Sequence, residues 1–358
     1  MRILQIIDSL EVGGAEKMAV NFANSLSTKI EFSGLVVTRK EGILKKELIN
    51  KNNYFFIEKV TTFDFKAFYK LKSICKKNKI EYLQVHGTSF FTAVLLKLIY
   101  SKIKILWHDH SGARAKETIY NNKILWLSSF FFSGIIVVNN ELEFWAKKYL
   151  NCKKIIYLPN FTTIKNNEKV ETKLLGNEDK KIVILANLRN PKNHLLLIEV
   201  AKLTVKKFPD WSFHFIGKDN NDQYSNKLKS EIKLNNLENI IFLYGQKQDT
   251  STILNQATIC VLCSLSEGLP VSILEYGLFK KPVISTNVGQ INLIIKHNEN
   301  GFLVEKNNVK QFYNSLSLLI DNKELRTKFG EKLHQTILEN NSEKIIIKKY
   351  LSWINNNL

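Results

Sequence analysis

The fold of this chain is indicated most clearly by one stretch, SEGLPVSILE, residues Ser266–Glu275. It follows an apolar run of β type, Ile259–Cys263, which Gly268 and Pro270 bring to an end. The apolar positions of a helix then recur at Ile273, Leu274 and Leu278. The stretch therefore predicts a strand, a tight turn and a helix, which is the repeating unit of a parallel α/β sheet.

Two carboxylates lie on either side of this turn. Glu267 falls in the loop at the carboxyl end of the strand, and Glu275 lies roughly one turn into the helix. The free amides at the helix start, near residues 269–272, can hold an anion. A phosphate held by amides, with carboxylates to accept sugar hydroxyls, is the layout that a nucleotide-sugar site needs. The stretch alone is equally compatible with a structural turn that carries two solvated glutamates.

Composition limits the class of protein. A chain of 358 residues suits two α/β domains, and 44% hydrophobic residues provide ample core. The net charge of +19, from 52 Lys and Arg against 33 Asp and Glu, favours anionic partners. The basic residues are spread over both halves and form none of the common nucleic-acid-binding motifs, so we expect no nucleic acid partner.

Targeting and redox signals favour the cytoplasm. The start of the chain, Met1–Asp8, is strand-like and lacks the features of a signal peptide. The longest apolar stretch, Ile124–Val138, is too short to span a bilayer. It is predicted to be a helix end followed by a buried strand. Cys260 and Cys263 form a C-x-x-C inside a strand without a second pair, so we expect two core residues rather than a zinc site.

A lysine-rich segment, residues 66–79, carries Phe68, Leu71 and Cys75 at helical spacing. Such a basic amphipathic helix can lie on an anionic membrane surface. The alternative is an ordinary solvated helix face in a lysine-rich chain, and the sequence leaves both interpretations open.

Strand-like and helix-like segments alternate in two series. The first covers residues 1–161, and the second covers residues 182–342. The polar and charged stretch 162–181 between them is predicted to be an interdomain linker. Residues 343–358 are predicted to form a final helix.

Four loops at predicted strand ends carry candidate functional residues. A loop with Gly13 and Gly14 opens the first helix and lets a ligand approach the backbone. Arg189 and Lys192 follow the first strand of the second series and can converge on a diphosphate. The remaining loops contain histidines, namely His86, His108 and His110. We expect neutral imidazoles that position substrate, and no metal, because the sequence shows neither a third cluster of ligands nor a D-x-D element.

The order of these loops resembles glycosyltransferase family 4, whose members are retaining enzymes of the GT-B fold. Gly13–Glu16 is similar to the family's G-G-x-E loop, and Leu158–Phe161 to its I-P-N-G element. Leu185–His194 is similar to the segment that ends in K-N-H, and Ser264–Ile284 carries the E-x7-E signature with its following strand. The resemblance covers nearly the whole chain. It implies two Rossmann-like, doubly wound α/β domains that face each other across a cleft, with the helix 343–358 packing back on the N-terminal domain.

Carried over residue by residue, the resemblance implies a donor site in the C-terminal domain. Glu267 would contact hydroxyls of the donor sugar, and Glu275 the ribose hydroxyls. Arg189 and Lys192 would neutralise the departing diphosphate. Further donor-binding positions are those of the turn: Gly268, Leu269, Pro270 and Val271.

The resemblance also implies roles for the N-terminal domain. Gly14 would lie against the phosphate or the acceptor. One histidine would lie near the donor sugar as a catalytic group, and we place His110 there ahead of His108 because the strand end is uncertain by two positions. Gly13, His86 and His108 would then face the acceptor.

The activity implied is transfer of a sugar from a nucleoside-diphosphate sugar to an acceptor hydroxyl, with retention and without a metal or cofactor. UDP-sugars are favoured as donors, and a lipid-linked or growing bacterial surface glycan, as in capsule or lipopolysaccharide assembly, as acceptor. The protein would be cytoplasmic and peripheral on the inner face of the cell membrane. A nucleotide-sugar epimerase and a non-catalytic membrane-associated scaffold of a polysaccharide assembly complex stay open as alternatives.

Three positions depart from the family pattern. Phe161 replaces a glycine, Tyr276 replaces an alanine, and Asn292 stands near an acid that the family usually shows. These departures bear on the identity of the donor more than on the class of reaction.

Overall fold

The structure is a computed structural model that describes residues 1–163 and 172–358. The chain forms two compact units. The first unit contains Met1–Thr162 together with Glu343–Leu358, and the second contains Thr163–Ser342.

Within the described residues, the strands in chain order are β1 Arg2–Ser9, β2 Phe32–Lys40, β3 Tyr54–Phe56, β4 Tyr82–His86, β5 Lys104–Asp109, β6 Phe132–Val137, β7 Ile155–Tyr157, β8 Lys181–Leu185, β9 Ser212–Ile216, β10 Ile241–Gly245, β11 Ile259–Leu262, β12 Val283–Thr286 and β13 Phe302–Val304. The α-helices are α1 Gly14–Leu26, α2 Phe65–Lys77, α3 Phe90–Ile99, α4 Lys123–Ser128, α5 Asn140–Tyr149, α6 His194–Lys207, α7 Gln223–Leu234, α8 Thr250–Gln256, α9 Val271–Leu278, α10 Ile291–Ile294, α11 Val309–Asp321, α12 Lys323–Asn340 and α13 Glu343–Asn357.

Each unit is built on one parallel sheet. The order is β3-β2-β1-β4-β5-β6-β7 in the first unit and β10-β9-β8-β11-β12-β13 in the second. In the first sheet, β1 to β3 follow one another towards one edge and β4 to β7 towards the other, so the order of strand addition reverses between β1 and β4. In the second sheet it reverses in the same way between β8 and β11. Ligands of doubly wound sheets bind at such reversal points, beyond the carboxyl ends of the strands. The predicted pair of doubly wound α/β units is confirmed.

The C-terminal helix α13 packs in the first unit, as predicted. Its residues Ile346, Tyr350 and Ile354 recur every four positions and are buried against α1 and the sheet. This spacing places them on one face of the helix, so burial of that face anchors α13 to the unit.

The apolar face of α2 points inwards. Phe68, Leu71 and Cys75 are buried in the core of the first unit, in one apolar cluster with residues of its sheet. The interpretation that this face lies on a membrane is therefore wrong, because the sheet already covers it. The outer side of α2, with its lysines, is exposed.

The predicted linker 162–181 lies in part outside the described residues, namely at 164–171. Residues 172–180 pack on the second unit. Thr172 donates hydrogen bonds from its amide and hydroxyl to the buried Asp249 carboxylate, at 2.6 and 2.9 Å, and Leu174 lies in that unit's core. Polar composition suggested a linker, but buried hydrogen bonds hold this stretch in place.

The apolar stretch 124–138 contains most of α4 and all of β6, in agreement with the expected helix end and buried strand. Among the described helices, none has both the length and the apolar character that crossing a bilayer would require.

Candidate active site

In the second unit, two loops meet at the reversal point between β8 and β11. The loop after β8 carries Lys192, and the loop after β11 carries Glu267. The Lys192 Nζ and the Glu267 Oε1 form an ion pair, and the two side chains are only 14% and 11% exposed. The Ser264 hydroxyl donates a second hydrogen bond to the same Oε1, at 2.6 Å. The predicted basic and acidic site residues are thus in direct contact.

Further contacts hold these loops together. The Leu265 amide donates to the Pro191 carbonyl at 2.8 Å, and the Cys263 thiol lies 3.1 Å from the Lys192 carbonyl oxygen. Cys263 and Cys260 are buried free thiols. Burial raises the pKa of both thiols, Cys260 to about 12. These contacts hold together the two loops that carry the ion pair. Cys263 therefore contributes to the packing of this site.

Arg189 differs from Lys192. It is exposed at the end of the β8 loop, and within residues 1–163 and 172–358 its guanidinium has no hydrogen-bond or ion-pair partner. A planar guanidinium without a carboxylate partner is available to a diphosphate from solution.

The helix α9 begins at Val271, directly after Pro270. As at any helix start, the amides of the first turn have no carbonyl partner within the helix, and they carry a partial positive charge. Gly268 and Leu269 complete the turn that leads into α9, and Leu269 is buried. Glu275 lies in the second half of this eight-residue helix and is half-buried.

Tyr276 shows why the second unit tolerates a tyrosine in α9. Its side chain is fully buried, and its hydroxyl accepts a hydrogen bond from the Leu185 amide at 2.7 Å and donates to the Val261 carbonyl at 3.3 Å. Burial raises the pKa of Tyr276 well above its usual value. The phenol thereby ties α9 to β8 and β11 just before their functional loops begin.

A third loop, after β12, packs behind the Glu267 loop. Gly289 has a φ of +59°, and a Cβ there would lie 2.1 Å from the Glu267 carbonyl oxygen. The Gln290 amide donates to the Gly268 carbonyl at 3.0 Å. Asn292, near the expected acid, is exposed in the short helix α10. A glycine is required at 289 for both backbone conformation and space.

In the first unit, three histidines meet beyond β4 and β5. His86 and His108 are paired neighbours on these strands, and His110 follows β5. The ring centroids of His108 and His110 are 4.0 Å apart, and those of His86 and His110 are 5.2 Å apart in a stacked arrangement. The sequence singled out each residue, and the sheet register brings them together.

Hydrogen bonds assign a tautomer to each ring. The Tyr350 hydroxyl donates to Gln84 Oε1 at 2.6 Å, so Gln84 Nε2 donates to His108 Nδ1 at 3.0 Å. His86 Nε2 donates to Gln5 Oε1 at 2.9 Å, so His110 Nε2 donates to His86 Nδ1 at 2.9 Å. His108 then keeps an N–H at Nε2, and His110 keeps a lone pair at Nδ1.

These two remaining nitrogens have no hydrogen-bond partner within the described residues, although both are buried. Burial lowers the pKa of His110 to about 3 and those of His86 and His108 well below their usual value, with a smaller contribution from the neighbouring imidazoles for the last two. All three rings are therefore neutral at pH 7. A donor and an acceptor on adjacent neutral rings can together bind a hydroxyl group.

The same cluster has the composition of a metal site. One ring nitrogen of each of His86, His108 and His110 lies within 4.8 Å of the others. Neutral imidazoles are good ligands for transition metals. In the structure, His86 Nδ1 and His110 Nε2 are hydrogen-bonded to each other at 2.9 Å.

The glycine loop of the first unit begins α1. Gly13 is the N-cap residue in extended conformation, and the Glu16 carboxylate folds back to within 2.1 Å of where a Gly13 Cβ would lie. Apart from its chain neighbours and the backbone of α1, a Cβ at Gly14 would meet no atom of the described residues within 4 Å. The helix start at Gly14 is therefore open to a ligand.

Comparison with known proteins adds to this geometry. Residues 165–336, which contain all the site loops of the second unit, match the family model described as "Glycosyl transferases group 1". An uncharacterized glycosyltransferase of Haemophilus influenzae is 26% identical over 93% of this chain and 94% of its own length. The chain is a glycosyltransferase.

Named relatives of this glycosyltransferase include a UDP-Gal:alpha-D-GlcNAc-diphosphoundecaprenol alpha-1,3-galactosyltransferase of Escherichia coli, 28% identical over 73% of this chain and 72% of that protein. Among solved structures, Anabaena HepE in complex with UDP-glucose superposes with a TM-score of 0.81, covering 99% of this chain and all of that one, at 15% identity. This likeness shows a shared GT-B fold.

Three polar residues of the glycosyltransferase escaped the sequence analysis. Gln5, Gln84 and Tyr350 surround the histidines and are fully buried. Gln5 and Gln84 each interrupt an apolar strand, and a polar side chain at a core position needs a partner. That signal could have identified the two glutamines. Tyr350 reaches the cluster from a helix far along the chain, and no local pattern indicates this.

Proposed function

We propose that the protein transfers a sugar from a UDP-sugar to a hydroxyl of a lipid-linked or growing surface glycan, with retained anomeric configuration and without a metal ion. The contact between Lys192 and Glu267 at the reversal point of the second sheet carries this proposal, because ligands of such sheets bind there. The UDP-glucose bound by HepE and the diphosphoundecaprenol-linked acceptor in the name of the E. coli relative support the two substrate classes.

In this proposal, breaking the bond between sugar and diphosphate is the difficult step. Arg189, Lys192 and the first amides of α9 stabilise the negative charge that develops on the departing diphosphate. Glu267 exchanges part of its contact with Lys192 for hydroxyls of the donor sugar, and Glu275 binds the ribose hydroxyls. Gly13 and Gly14 allow substrate to approach the start of α1.

The histidine cluster binds substrate hydroxyls. His110 Nδ1 accepts a hydrogen bond from a hydroxyl of the donor sugar, and His108 Nε2 donates a hydrogen bond to a hydroxyl oxygen of the acceptor, since these nitrogens are buried without a partner in the described chain. We assign His110 to the donor sugar and His86 and His108 to the acceptor side. His86 holds His110 in the required tautomer.

The donor is tested by thermal unfolding of the purified protein with UDP, GDP, ADP and their common sugars. A millimolar ligand with a micromolar Kd adds roughly 4 kcal/mol to the free energy of unfolding, which raises the melting temperature measurably. We expect a selective rise with UDP and UDP-sugars, and a smaller rise in Lys192→Ala. The control Lys328→Ala, on the exposed side of α12, keeps the full rise. A folded protein that responds to none of the nucleotides contradicts the proposal.

The reaction is tested by incubating the responding UDP-sugar with a polyprenyl-diphosphate-linked glycan. Coupling constants at the anomeric carbon of the product, measured by NMR, establish whether configuration is retained. Conversion of the UDP-sugar to its epimer without an acceptor would favour the epimerase instead. The proposed place of action is the inner face of the cell membrane, with the protein peripheral to it.

Metal independence is tested by chelation. We expect transfer to be unchanged after dialysis against EDTA, because Arg189, Lys192 and the first amides of α9 supply the positive charge that the departing diphosphate needs. Metal analysis of the dialysed protein is the accompanying measurement. Activity that is lost with the metal and restored by zinc would contradict this part of the proposal.

A further inference from the structure

The exposed aromatic side chains of this protein are concentrated in one part of the first unit. Among the described residues, every aromatic side chain that is more than about a third exposed lies between positions 63 and 144. These side chains are Phe63, Phe65, Tyr69, Tyr120, Trp126, Phe130 and Phe144. The exposed apolar residues of the second unit are scattered leucines, such as Leu234 and Leu318.

Six of these seven residues belong to one layer of helices. Phe65 and Tyr69 are on α2, Trp126 is on α4, and Phe63, Tyr120 and Phe130 lie in the adjoining turns. The helices α2, α3 and α4 lie side by side in that order and cover the same face of the sheet. We name Phe63, Phe65, Tyr69, Tyr120, Trp126 and Phe130 the aromatic surface.

The inner side of the helix layer is buried in the core of the first unit, and the aromatic surface lies on its outer side. Phe68, Leu96 and Leu125, from the three helices, are each at most 5% exposed and pack into the core. By contrast, Phe65 is 72% exposed and Tyr69 is 63% exposed. Aromatic rings contribute large apolar areas, and contiguous exposed apolar area usually marks a site of interaction.

The charges on the helices beneath the aromatic surface have one sign, although the adjoining turns contain Asp64 and Glu117. The helices α2, α3 and α4 contain seven lysines and no Asp or Glu. The helix α12 of the second unit, in comparison, mixes Lys and Arg with Glu324, Glu331 and Glu339. Lysines continue at the end of α2, where Lys72, Lys76 and Lys102 line a groove of about 700 Å³. A partner of this layer therefore carries negative charge.

We propose that the aromatic surface docks the protein on a bilayer that contains anionic phospholipid, with its rings at the level of the headgroups and the lysines of α2 on the phosphates. Aromatic side chains favour the membrane interface, and basic residues nearby add attraction to anionic lipid. This inference rests on the proposed function, because a lipid-linked acceptor is presented at a bilayer surface. The membrane contact is made by the outer side of the layer α2–α4, and the buried apolar face of α2 takes no part in it.

The test is flotation of the full-length protein with vesicles of phosphatidylcholine alone or mixed with phosphatidylglycerol. We expect binding to the mixed vesicles only, and weaker binding as salt rises. The triple variant Phe65→Ser, Tyr69→Ser and Phe130→Ser should lower the partition coefficient at least ~10-fold. The double variant Lys66→Gln and Lys70→Gln should lower it roughly 10- to 30-fold at low salt.

Matched controls lie in the second unit. The triple variant Leu234→Ser, Leu318→Ser and Leu338→Ser removes exposed apolar side chains there, and the double variant Lys323→Gln and Lys328→Gln removes exposed lysines of α12. Both controls should bind mixed vesicles like the unchanged protein. Equal binding by the aromatic triple variant, or no binding by the unchanged protein, overturns the proposal.

Two further measurements separate this inference from its alternatives. If sedimentation shows a dimer that the aromatic triple variant dissociates, and vesicles do not bind, the surface joins two copies of the chain and the proposal is overturned. The nucleotide-dependent rise in melting temperature tests the proposed function by itself. Vesicle binding without a nucleotide response would contradict the proposed function and still support the docking surface.

Discussion

At the scale of single residues, the contact between Lys192 and Glu267 explains how opposite charges are kept ready at a site that is open to ligand. Each side chain compensates the charge of the other, and Ser264 adds a hydrogen bond to the carboxylate. In the proposed function, binding of an anionic donor gives Lys192 a second negative partner and releases Glu267 towards hydroxyl groups. The ion pair therefore couples the basic and the acidic halves of the proposed donor site.

We expect Lys192→Ala or Glu267→Ala to lower turnover at least ~100-fold, since each removes a group that stabilises charge in the transition state. Steady-state transfer assays measure the effect, and circular dichroism checks that the variants stay folded. The double variant should lose less than the product of the two single effects, because the residues act together. Near-normal transfer by either single variant would remove these residues from the site.

A second residue, Tyr350, acts on the histidines through Gln84. The variant Tyr350→Phe removes a buried hydrogen bond of 2.6 Å and leaves Gln84 Oε1 without its donor. We expect the free energy of unfolding, from urea titration, to fall by about 1–3 kcal/mol. Tyr120→Phe is the control, because Tyr120 is 77% exposed and should change little. Equal stability of both variants would show that the buried bond contributes nothing.

At the scale of elements, the second unit places its site by tying α9 to two strands. The phenol of Tyr276 bridges β8 and β11 at the points where their loops begin, and Gly289 lets the loop after β12 pack behind Glu267. Contacts at the ends of β8, β11 and β12 therefore hold the first turn of α9 and the loop before it in place. Tyr276 is therefore a structural connection between α9 and the sheet.

The variant Tyr276→Phe tests this connection. It leaves the part-buried Leu185 amide without this acceptor, so we expect a loss of about 1–3 kcal/mol in the free energy of unfolding. We also expect weaker nucleotide binding by calorimetry, because α9 is less firmly held. Tyr313→Phe, on α11 of the same unit, is the control, since no hydrogen bond of its hydroxyl is found in the described residues. Unchanged stability and affinity in Tyr276→Phe would contradict this role.

At the scale of the whole molecule, buried histidines make the protein sensitive to acid. Burial lowers the pKa of His110, His194 and His214 to about 3. In the unfolded chain these groups titrate near 6.5. The unfolded state therefore binds more protons between about pH 6.5 and 3, and the stability that is present above pH 6.5 is lost as pH falls through this window.

Well below pH 6, we expect each of these histidines to lower the free energy of unfolding by roughly 1.4 kcal/mol for each unit by which the pH falls. Urea titrations at a series of pH values from 7.5 to about 5 measure the slope. His214→Gln should flatten it, because one titrating group is gone while a side chain that can bond Ser212 and Tyr244 is kept. An identical slope in this variant would show that His214 does not contribute.

The sequence by itself determined the class of fold and the two strand–loop–helix units of the proposed donor site. Alternating apolar runs, glycine turns and the carboxylates of Ser266–Glu275 are local signals, and the structure has β11, a turn and α9 there. Only the tertiary structure decided which separate segments meet. It joined Lys192 to Glu267 and His86 to His110, and it brought Tyr350 to Gln84 across 266 positions. The physical reason is that strand order and helix packing arise from long-range burial, which no local spacing encodes. Long-range packing also places the apolar face of α2 in the core, while Phe65 and Tyr69 of the same helix stay exposed.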